Sequence, residues 1–285
     1  NYNERRGLVP EEYIQFRQDY FRQIFPDIDY HFYTHPDNIP GDMNIDEWRN
    51  LSSSDPLDDN TKEWMARLRL FPIEQENYLA GKTTDWFDKV FRTGLRQEYD
   101  LSISGGTDVV KYYWSVGYND NEGIRVGDQY SSVRSRLNAD FQIVEWLNAG
   151  VNVQFSDRDD TALPASSSGF YSNSPYGQMF DEEGNLMRYP HGHTNHPLLD
   201  YYRTSLSNKT NNLFANLYAE ITFPLGIKYK ISFQPHYQSY KYLRFTTISE
   251  KLGGVANEIP EGQRSESTTM NWMVDNLLTW NKEIE

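Results

Sequence analysis

The chain has 285 residues, no cysteine and a formal net charge of −14 at pH 7. The lack of cysteine excludes a disulfide framework and thiolate chemistry, and the acidic balance argues against nucleic acid as a partner, because phosphate binding needs an excess of Lys and Arg. The mean hydropathy is −0.77, and no run approaches the roughly 18 apolar residues that a transmembrane helix needs.

Neither end of the chain resembles the end of a complete protein. It begins with Asn1-Tyr2 rather than with a translation start, and it stops at Ile284-Glu285 in what the pattern predicts to be a strand end. No signal peptide is recognisable. We therefore expect the chain to be an interior piece of something longer.

Residues 1–97 are predicted to be helical and irregular. A first helix begins at Pro10, where proline and acidic residues suit a helix start, and Pro26 stops it. Asn60 or Thr61 is expected to cap a second helix, and Thr84 or Asp85 a short third one. Clusters of Asp, Pro, Asn and Ser between the helices predict exposed loops.

From Glu98 onward the apolar residues recur with a period of two. In the segment Leu147–Ser156 every second residue is apolar, so the side chains alternate between an apolar and a polar face of a strand. The same pattern predicts seven strands, near 98–105, 111–119, 131–143, 147–157, 211–223, 227–246 and 266–282.

The connections between these strands alternate in length. Short ones at 105–108, 145–146 and 224–226 alternate with long ones at 119–130, 158–210 and 247–264. Antiparallel strands of an outer-membrane barrel have this pattern, because short turns lie on the periplasmic side and long loops lie outside. By parity, residues 1–97 are then also on the outer side.

These observations predict an all-β fold, part of a large antiparallel transmembrane β-barrel with a mainly helical or irregular extracellular region at its N-terminal end. Residues 1–97 form that region, and residues 98–285 form about seven barrel strands with long outer loops at 158–210 and 247–264. The alternative is a soluble β-sandwich, such as a secreted carbohydrate-binding or adhesin module. Strands of a sandwich alternate too, but they are usually shorter and their loops need not alternate in length.

A barrel gives the two faces of each strand different surroundings. Arg134, Arg136 and Asp140 are predicted to face the lumen. In the lumen they would contact either a plug domain or the transported solute, and the plug is the preferred interpretation. Lipid is the predicted environment of a second set of side chains: Tyr112, Trp114, Tyr118, Val151, Trp272 and Trp280.

Aromatic residues are spaced to mark the borders of an apolar band. Tyr229 and Tyr237 lie eight residues apart on one strand face, as do Trp272 and Trp280, and eight residues of a tilted strand span about 20 Å vertically. Pro235 fits this pattern poorly because it removes a ladder donor. Asn276 fits poorly because it lies on the lipid face, and a β-bulge is one way to accommodate either residue.

No catalytic constellation is recognisable in the sequence, so no enzymatic activity and no cofactor are expected. Two acidic clusters combine carboxylates that suit Ca²⁺, although a solvated loop tip is the preferred interpretation of both: Asp157, Asp159 and Asp160 in one, Asp55, Asp58 and Asp59 in the other. His191, His193 and His196 have a spacing that could suit Zn²⁺, but their Gly and Pro neighbours favour a flexible outer loop.

The long loop 158–210 is rich in aromatic residues. Their faces can stack on sugar rings or hold a partner, and the alternative is that they pack the small core that an ordered loop of this length requires. The candidates for ligand or partner binding are Phe170, Tyr171, Tyr176, Tyr189, Tyr201 and Tyr202.

Several motifs resemble one family. Residues 84–93, Thr-Asp-Trp-Phe-Asp-Lys-Val-Phe-Arg-Thr, are followed by Tyr-Asp-Leu-Ser-Ile-Ser-Gly-Gly-Thr at 99–107 and by Trp-Leu-Asn-Ala-Gly-Val-Asn at 146–152. As a set with 112–118, 136–140, 174–185 and 275–279, these segments resemble SusC/RagA-type TonB-dependent outer-membrane transporters. Residues 1–83 match only loosely, around Pro10 to Tyr20.

The resemblance implies a location and partners. It implies a multi-pass protein in the outer membrane of a Gram-negative bacterium, of the Bacteroidota, in contact with outer-membrane lipid. It implies import of nutrient oligomers, glycans first and peptides second, together with a SusD-like surface lipoprotein and energised by the TonB–ExbB–ExbD complex. The TonB box, the plug and the remaining strands of a barrel with about 22 strands are not in this sequence.

Overall fold

A computed structural model describes residues 7–52, 55–255 and 258–281. The chain divides into two compact units, each assembled from separate stretches of sequence. The first unit takes its described residues from 1–91, 165–203 and 248–258, and the second takes them from 92–164, 204–247 and 259–285. We call them the helical unit and the sheet unit.

The helical unit contains seven α-helices among its described residues: α1 Pro10–Ile24, α2 Ile45–Arg49, α3 Asn60–Arg67, α4 Pro72–Leu79, α5 Trp86–Val90, α6 Gly169–Ser172 and α7 Leu199–Arg203. Short 3₁₀ turns lie at Tyr30–Tyr33, Pro36–Asn38 and Glu250–Leu252. Over the described ranges, no helix combines the length and apolar content needed to cross a membrane.

The predicted helix starts are close to those observed. Pro10 is the first residue of α1, and Asp85, one of the two predicted caps, caps α5. The cap of α3 is Asp59, one residue before the predicted Asn60, and both Asp carboxylates accept N–H bonds from the first turn. Four further helices, α2, α4, α6 and α7, were not predicted from the sequence. Asn44 and Glu47 form a capping box at α2, a signal that the sequence does carry.

A tryptophan-rich core holds the helical unit together. The side chains of Trp48, Trp64, Met65 and Leu68 are almost completely buried. The indole nitrogen of Trp64 donates to the carbonyl oxygen of Tyr33 at 3.0 Å, so the large apolar surface is buried without leaving an unpaired donor.

The sheet unit is one antiparallel sheet with its strands in chain order: β1 Leu95–Gly106, β2 Val110–Glu122, β3 Gln129–Val144, β4 Leu147–Asp159, β5 Thr204–Phe223, β6 Ile227–Thr246 and β7 Glu261–Trp280. Seven antiparallel strands were predicted, and this part of the fold is confirmed. The turn between β5 and β6 is tight, as expected, because Leu225 (φ 67°) and Gly226 (φ 77°) both adopt the left-handed conformation.

The strands extend further than the alternating pattern indicates. β5 begins at Thr204 rather than 211, and β7 begins at Glu261 rather than 266. The extra residues are mostly polar, but each of them pairs with a residue of β6 between Tyr240 and Thr246. Lys282, the predicted end of the last strand, lies outside the described residues.

Pro235 and Asn276 are accommodated without a bulge. The pairing of β6 with β7 is continuous past both residues, whereas the pairing of β5 with β6 has no partners between Phe214–His236 and Leu217–Phe233, around the proline. The hydroxyl of Tyr229 donates to Oδ1 of Asn276 at 2.5 Å, which satisfies the amide oxygen on an apolar face. The register shift in the described strands lies instead between Gln142 and Val144.

Candidate functional site

One face of the sheet is mainly apolar across all seven strands, with Ser135 and Asn276 among its polar exceptions. The register places side chains from every strand in common rows on this face, and one such row contains Ile103, Trp114, Leu137, Val153, Ala215, Pro235 and Trp272. No second layer of protein covers this face within the sheet unit's described residues, and Trp272 retains 66% of its surface and Trp280 65%.

The six residues predicted to face lipid lie on this one apolar face. Tyr112, Trp114 and Tyr118 are exposed, as are Trp272 and Trp280, and Val151 is half-buried between neighbouring strands. The indole nitrogen of Trp114 donates to the hydroxyl of Ser135 at 3.1 Å. A face of this kind is costly in water, because large contiguous apolar patches are rare on soluble monomers.

The apolar face has about the height of the apolar band of an outer-membrane barrel. On β6 the apolar positions run from Ile227 to Tyr237, which is about 33 Å along the strand and about 25 Å vertically at a tilt of about 40°. Beyond this band charges begin: Lys209 pairs with Asp159, its direct partner on β4, at 3.2 Å.

The opposite face of the sheet is polar and contains an ion-pair cluster. Nη2 of Arg134 lies 2.5 Å from a Glu98 carboxylate oxygen and 3.2 Å from both carboxylate oxygens of Asp100. Asp100 is on β1 and Arg134 on β3, so the guanidinium reaches across β2 at Gly117. A Cβ at Gly117 would lie 2.6 Å from Nε of Arg134, and glycine is therefore needed there.

A second contact on this face uses the same arrangement. The hydroxyl of Tyr218 on β5 donates to the Asp140 carboxylate on β3, across Gly150 on β4. A Cβ at Gly150 would lie 2.5 Å from Cζ of the Tyr218 ring. Lys230 lies over the same ring at 4.2 Å. In both contacts a strand glycine lets polar side chains from the two flanking strands meet.

The three residues predicted to face the lumen share the polar face but differ in their partners. Arg134 and Asp140 have the contacts described above, whereas Arg136 has no ion pair within 4.0 Å among the side chains that the structure describes. Two shallow cavities lie on this face. One of about 340 Å³ is lined by Arg134, Arg136 and Phe214, and one of about 250 Å³ is lined by Asp140 and Tyr218.

The aromatic residues of the long loop divide into two groups within the helical unit. Phe170 and Tyr176 are buried: Phe170 packs edge-on against Phe87 and Phe91, and burial raises the pKa of Tyr176 to about 12. These two side chains pack against rings from outside the loop, Tyr176 against Tyr13 and Tyr78, and leave little surface for a ligand. The other candidates retain exposed surface and remain available for binding: Tyr171, Tyr189, Tyr201 and Tyr202.

The histidines of this loop do not form a flexible tip. His191 and His196 are buried, so the predicted flexible loop is wrong for both side chains. Nδ1 of His191 accepts the N–H of Ser174 at 3.4 Å, and Nδ1 of His196 accepts the N–H of Leu198 at 3.0 Å. Burial lowers the pKa of His196 to about 4.

The acidic clusters have other partners in the structure. The Asp160 carboxylate pairs with Arg158 at 2.7 Å, Asp159 pairs with Lys209, and Asp59 caps α3. Across the described ranges, no group of three or more His, Asp or Glu side chains is arranged to hold a metal ion.

A carboxylate that the sequence analysis did not single out joins two segments of the helical unit. Glu258 pairs with Arg188 at 3.0 Å and with Arg203 at 2.6 Å. These two hydrogen bonds hold the pKa of Glu258 at about 2. Its partners lie 55 and 70 residues away, so no local sequence signal indicates the contact.

Comparisons with known proteins identify one class of relatives. No family model matches the chain. It is 24% identical over 202 residues to TonB-dependent receptor P39 of Formosa agariphila, covering 68% of this chain and 19% of the receptor. It is 31% identical over 78 residues to TonB-dependent receptor SusC of Bacteroides thetaiotaomicron, covering 27% of this chain and 8% of SusC.

A solved structure of the RagAB peptide transporter has the same fold, with a TM-score of 0.50 at 15% identity over 97% of this chain and 38% of that chain. The chain spans about a fifth of the length of the receptor P39. It is thus similar to part of the SusC/RagA-type TonB-dependent receptors, and its sheet is a section of a large antiparallel transmembrane β-barrel.

Proposed function

We propose that this chain, a partial SusC/RagA-type sequence, forms wall strands and outer loops of a TonB-dependent importer in the outer membrane of a Gram-negative bacterium. One observation carries the proposal. The seven-stranded sheet has a mainly apolar face about 25 Å tall and a polar face with ion pairs on its other side. A single layer of sheet with these two faces suits lipid on one side and a polar lumen on the other.

The alternative of a soluble carbohydrate-binding or adhesin module fits this sheet poorly. In a soluble module the side chains of Trp114, Trp272 and Trp280 would be buried against a second layer of protein. They are exposed here, and no described part of the sheet unit covers them. The two edge strands β1 and β7 would also be left unpaired in a seven-stranded monomer.

The strand order supports an orientation for the chain, and the relatives support the proposed partners. Long connections alternate with short turns, so we assign the segments 1–97, 158–210 and 247–264 to the cell exterior. There residues 1–97 and the loop 158–210 contact a SusD-like surface lipoprotein. The similarity to TonB-dependent receptors supports energisation by TonB–ExbB–ExbD, which acts on parts of the protein that precede the barrel wall.

The proposed cargo is a nutrient oligomer, with glycans first and peptides second. The exposed aromatic side chains Tyr171, Tyr189, Tyr201 and Tyr202 suit stacking on sugar rings. RagAB is described as a peptide transporter, which keeps peptides as the second class. The net charge of −14 favours neutral or basic solutes over polyanions.

Spin-label accessibility tests the wall assignment. Labels at Val151 and at its chain neighbour Asn152, on opposite faces of β4, are compared in the full-length protein in outer-membrane vesicles. We expect oxygen to relax the label at 151 more strongly than a polar nickel reagent does, and we expect the reverse at 152. Equal protection of position 151 from both reagents would mean packed protein and would overturn the proposal.

Growth of a deletion strain tests the cargo. A strain without this gene is expected to lose growth on particular neutral oligosaccharides and to keep growth on monosaccharides, which pass through passive porins. Loss of growth on peptides alone would reverse the order of substrates. Unchanged growth on every oligosaccharide and peptide mixture would contradict the import function itself.

A further inference from the structure

Four amide side chains lie side by side across the middle of the polar face. Asn138 on β3, Asn152 on β4 and Asn216 on β5 are direct partners in the sheet register. The pairing of Leu217 with Phe233 places Gln234 of β6 opposite Asn216. We call these four residues the amide row. Neighbouring strands are about 4.8 Å apart, so the row is about 14 Å long.

The amide row is uncharged, whereas the rows next to it contain charges. Arg136 lies in the row on one side and Asp140 in the row on the other. The two cavities of the polar face flank the amide row in the same way, one lined by Arg134 and Arg136 and the other by Asp140 and Lys230. The row is therefore a neutral strip between two charged concavities.

In two of these amides no protein donor in the described part of the chain holds the oxygen. The Oδ1 atoms of Asn138 and Asn216 are buried and have no hydrogen-bond partner. A half-turn of the amide exchanges its oxygen and its NH₂ group without breaking a bond to the protein. Each of the two side chains can thus present either a donor or an acceptor to a molecule on the polar face. Gln234 differs, because its Nε2 donates to Asp275 at 2.9 Å.

Aromatic rings border the amide row. Tyr113 on β2 is the direct partner of Asn138, and Phe214 lies on the polar face two residues before Asn216 on β5. The two rings are 38% and 37% exposed, which is unusual on a face that is otherwise polar. Apolar ring surface beside adaptable hydrogen-bonding groups is the usual composition of a small-molecule site.

We propose that the amide row and the rings of Tyr113 and Phe214 form a contact surface for a neutral, hydroxyl-rich solute, an uncharged oligosaccharide. A hydroxyl both donates and accepts, which matches amides that are free to present either group. The four amides carry no charge to pair with the ionised termini and side chains of a peptide, which would instead pair with Arg136, Asp140 or Lys230 in the flanking cavities. This inference rests on the proposed function, since it assumes that the polar face lines an import path.

A paired substitution tests the row in the full-length protein in its own membrane. Asn138→Leu with Asn152→Leu removes two partnered amides, and Gln142→Leu with Asn148→Leu removes a partnered pair from the same two strands and the same face. Asn138→Gln with Asn152→Gln keeps the amide chemistry. Cells receive three labelled mixtures: neutral oligosaccharides, uronic-acid oligosaccharides and peptides. Uptake rates are compared at equal amounts of folded protein in the membrane.

We expect the wild type to import neutral oligosaccharides. The leucine pair at 138 and 152 is expected to slow that import about tenfold, the control pair at 142 and 148 to leave it within about twofold, and the glutamine pair to restore most of it. Equal effects of the two leucine pairs would overturn the inference. So would an equal loss of every solute class in the 138 and 152 variant, since the row would then act on the plug rather than on the solute.

Two further outcomes separate this inference from the proposed function. A wild type that imports only peptides or only uronic-acid oligosaccharides would overturn the amide-row inference and leave the importer in place. A wild type whose uptake of all three mixtures equals that of the deletion strain would overturn both.

Discussion

The two units of this molecule differ in the burial of their large apolar side chains. In the helical unit Trp48, Trp64 and Met65 are buried in a closed core, whereas in the sheet unit Trp272 and Trp280 are among the most exposed aromatic residues. Both units are rich in tryptophan and tyrosine, so composition does not separate them. The difference lies in what removes the apolar surface from water: protein in the first unit and, as we propose, lipid in the second.

The largest expected contrast is between two tryptophan truncations. Trp64→Ala opens a cavity in the helical unit and removes the donor to the Tyr33 carbonyl oxygen, so we expect a loss of about 3–5 kcal/mol in its stability. Trp272→Ala opens no protein cavity and should change the stability of the folded protein by less than about 1 kcal/mol. Pulse proteolysis of the full-length protein in lipid vesicles measures both, and similar losses would remove the contrast.

Acid should weaken the helical unit through His196. Burial lowers the pKa of this side chain from 6.5 to about 4, so the unfolded chain takes up the proton first as the pH falls. Stability is therefore lost progressively from about pH 6.5 down to pH 4, by on the order of 3 kcal/mol. His196→Asn keeps an acceptor for the Leu198 N–H and should flatten this pH dependence. His193→Asn, at an exposed position, should leave it unchanged in the same proteolysis assay.

A charge on the apolar face should be tolerated far less than the same charge one residue away. Val151→Arg puts a guanidinium near the middle of the proposed lipid-facing band and should cost about 2–4 kcal/mol. Asn152→Arg, on the polar face of the same strand, should cost much less. The folded fraction after refolding into lipid vesicles, read as the band that shifts on heating in a gel, measures the difference. Equal tolerance would mean that the band does not face lipid.

At Gly117 and Gly150 a strand glycine lets polar side chains of the two flanking strands meet. One added methyl group should prevent such a contact. Gly150→Ala brings a Cβ into the Tyr218 ring, and the ring must leave Asp140, at an expected cost of about 1–3 kcal/mol. Gly262→Ala on β7 is the matched control, because its Cβ would meet only Phe245, at an ordinary 3.6 Å. Combining Gly150→Ala with Tyr218→Ala should relieve the clash, and additive losses would contradict the assignment.

The smallest expected effect concerns the link made by Glu258 in the helical unit. Arg203 and Arg188 hold the pKa of its carboxyl at about 2, so its contribution is present above about pH 4.5 and is lost as the pH falls toward 2. Glu258→Gln should speed hydrogen exchange in residues 248–255 at neutral pH and reduce the further acceleration in acid. Glu250→Gln, at an exposed position nearby, serves as the control and should change neither.

The sequence by itself determined the features that depend on local periodicity and turn chemistry. Alternation with period two fixes which side chains share a face, so Tyr112, Val151 and Trp272 could be assigned to one surface before the structure was known. Pro10 and Pro224-Leu225-Gly226 mark a helix start and a turn because proline and glycine restrict or permit particular backbone angles. These signals act between residues that are close in the chain.

The tertiary structure decided what depends on partners far away in the sequence. The first residues of β5 lack alternation and are in the strand because β6 pairs with them. The sequence predicts that His196 lies in a flexible Gly- and Pro-rich loop. It is buried because Trp86, 110 residues away in the sequence, packs against it. Gly117 and Gly150 each lie between side chains of the two flanking strands. Which side chains meet across each glycine depends on the register of the sheet. Register is set by pairing between strands and not by the sequence of one strand.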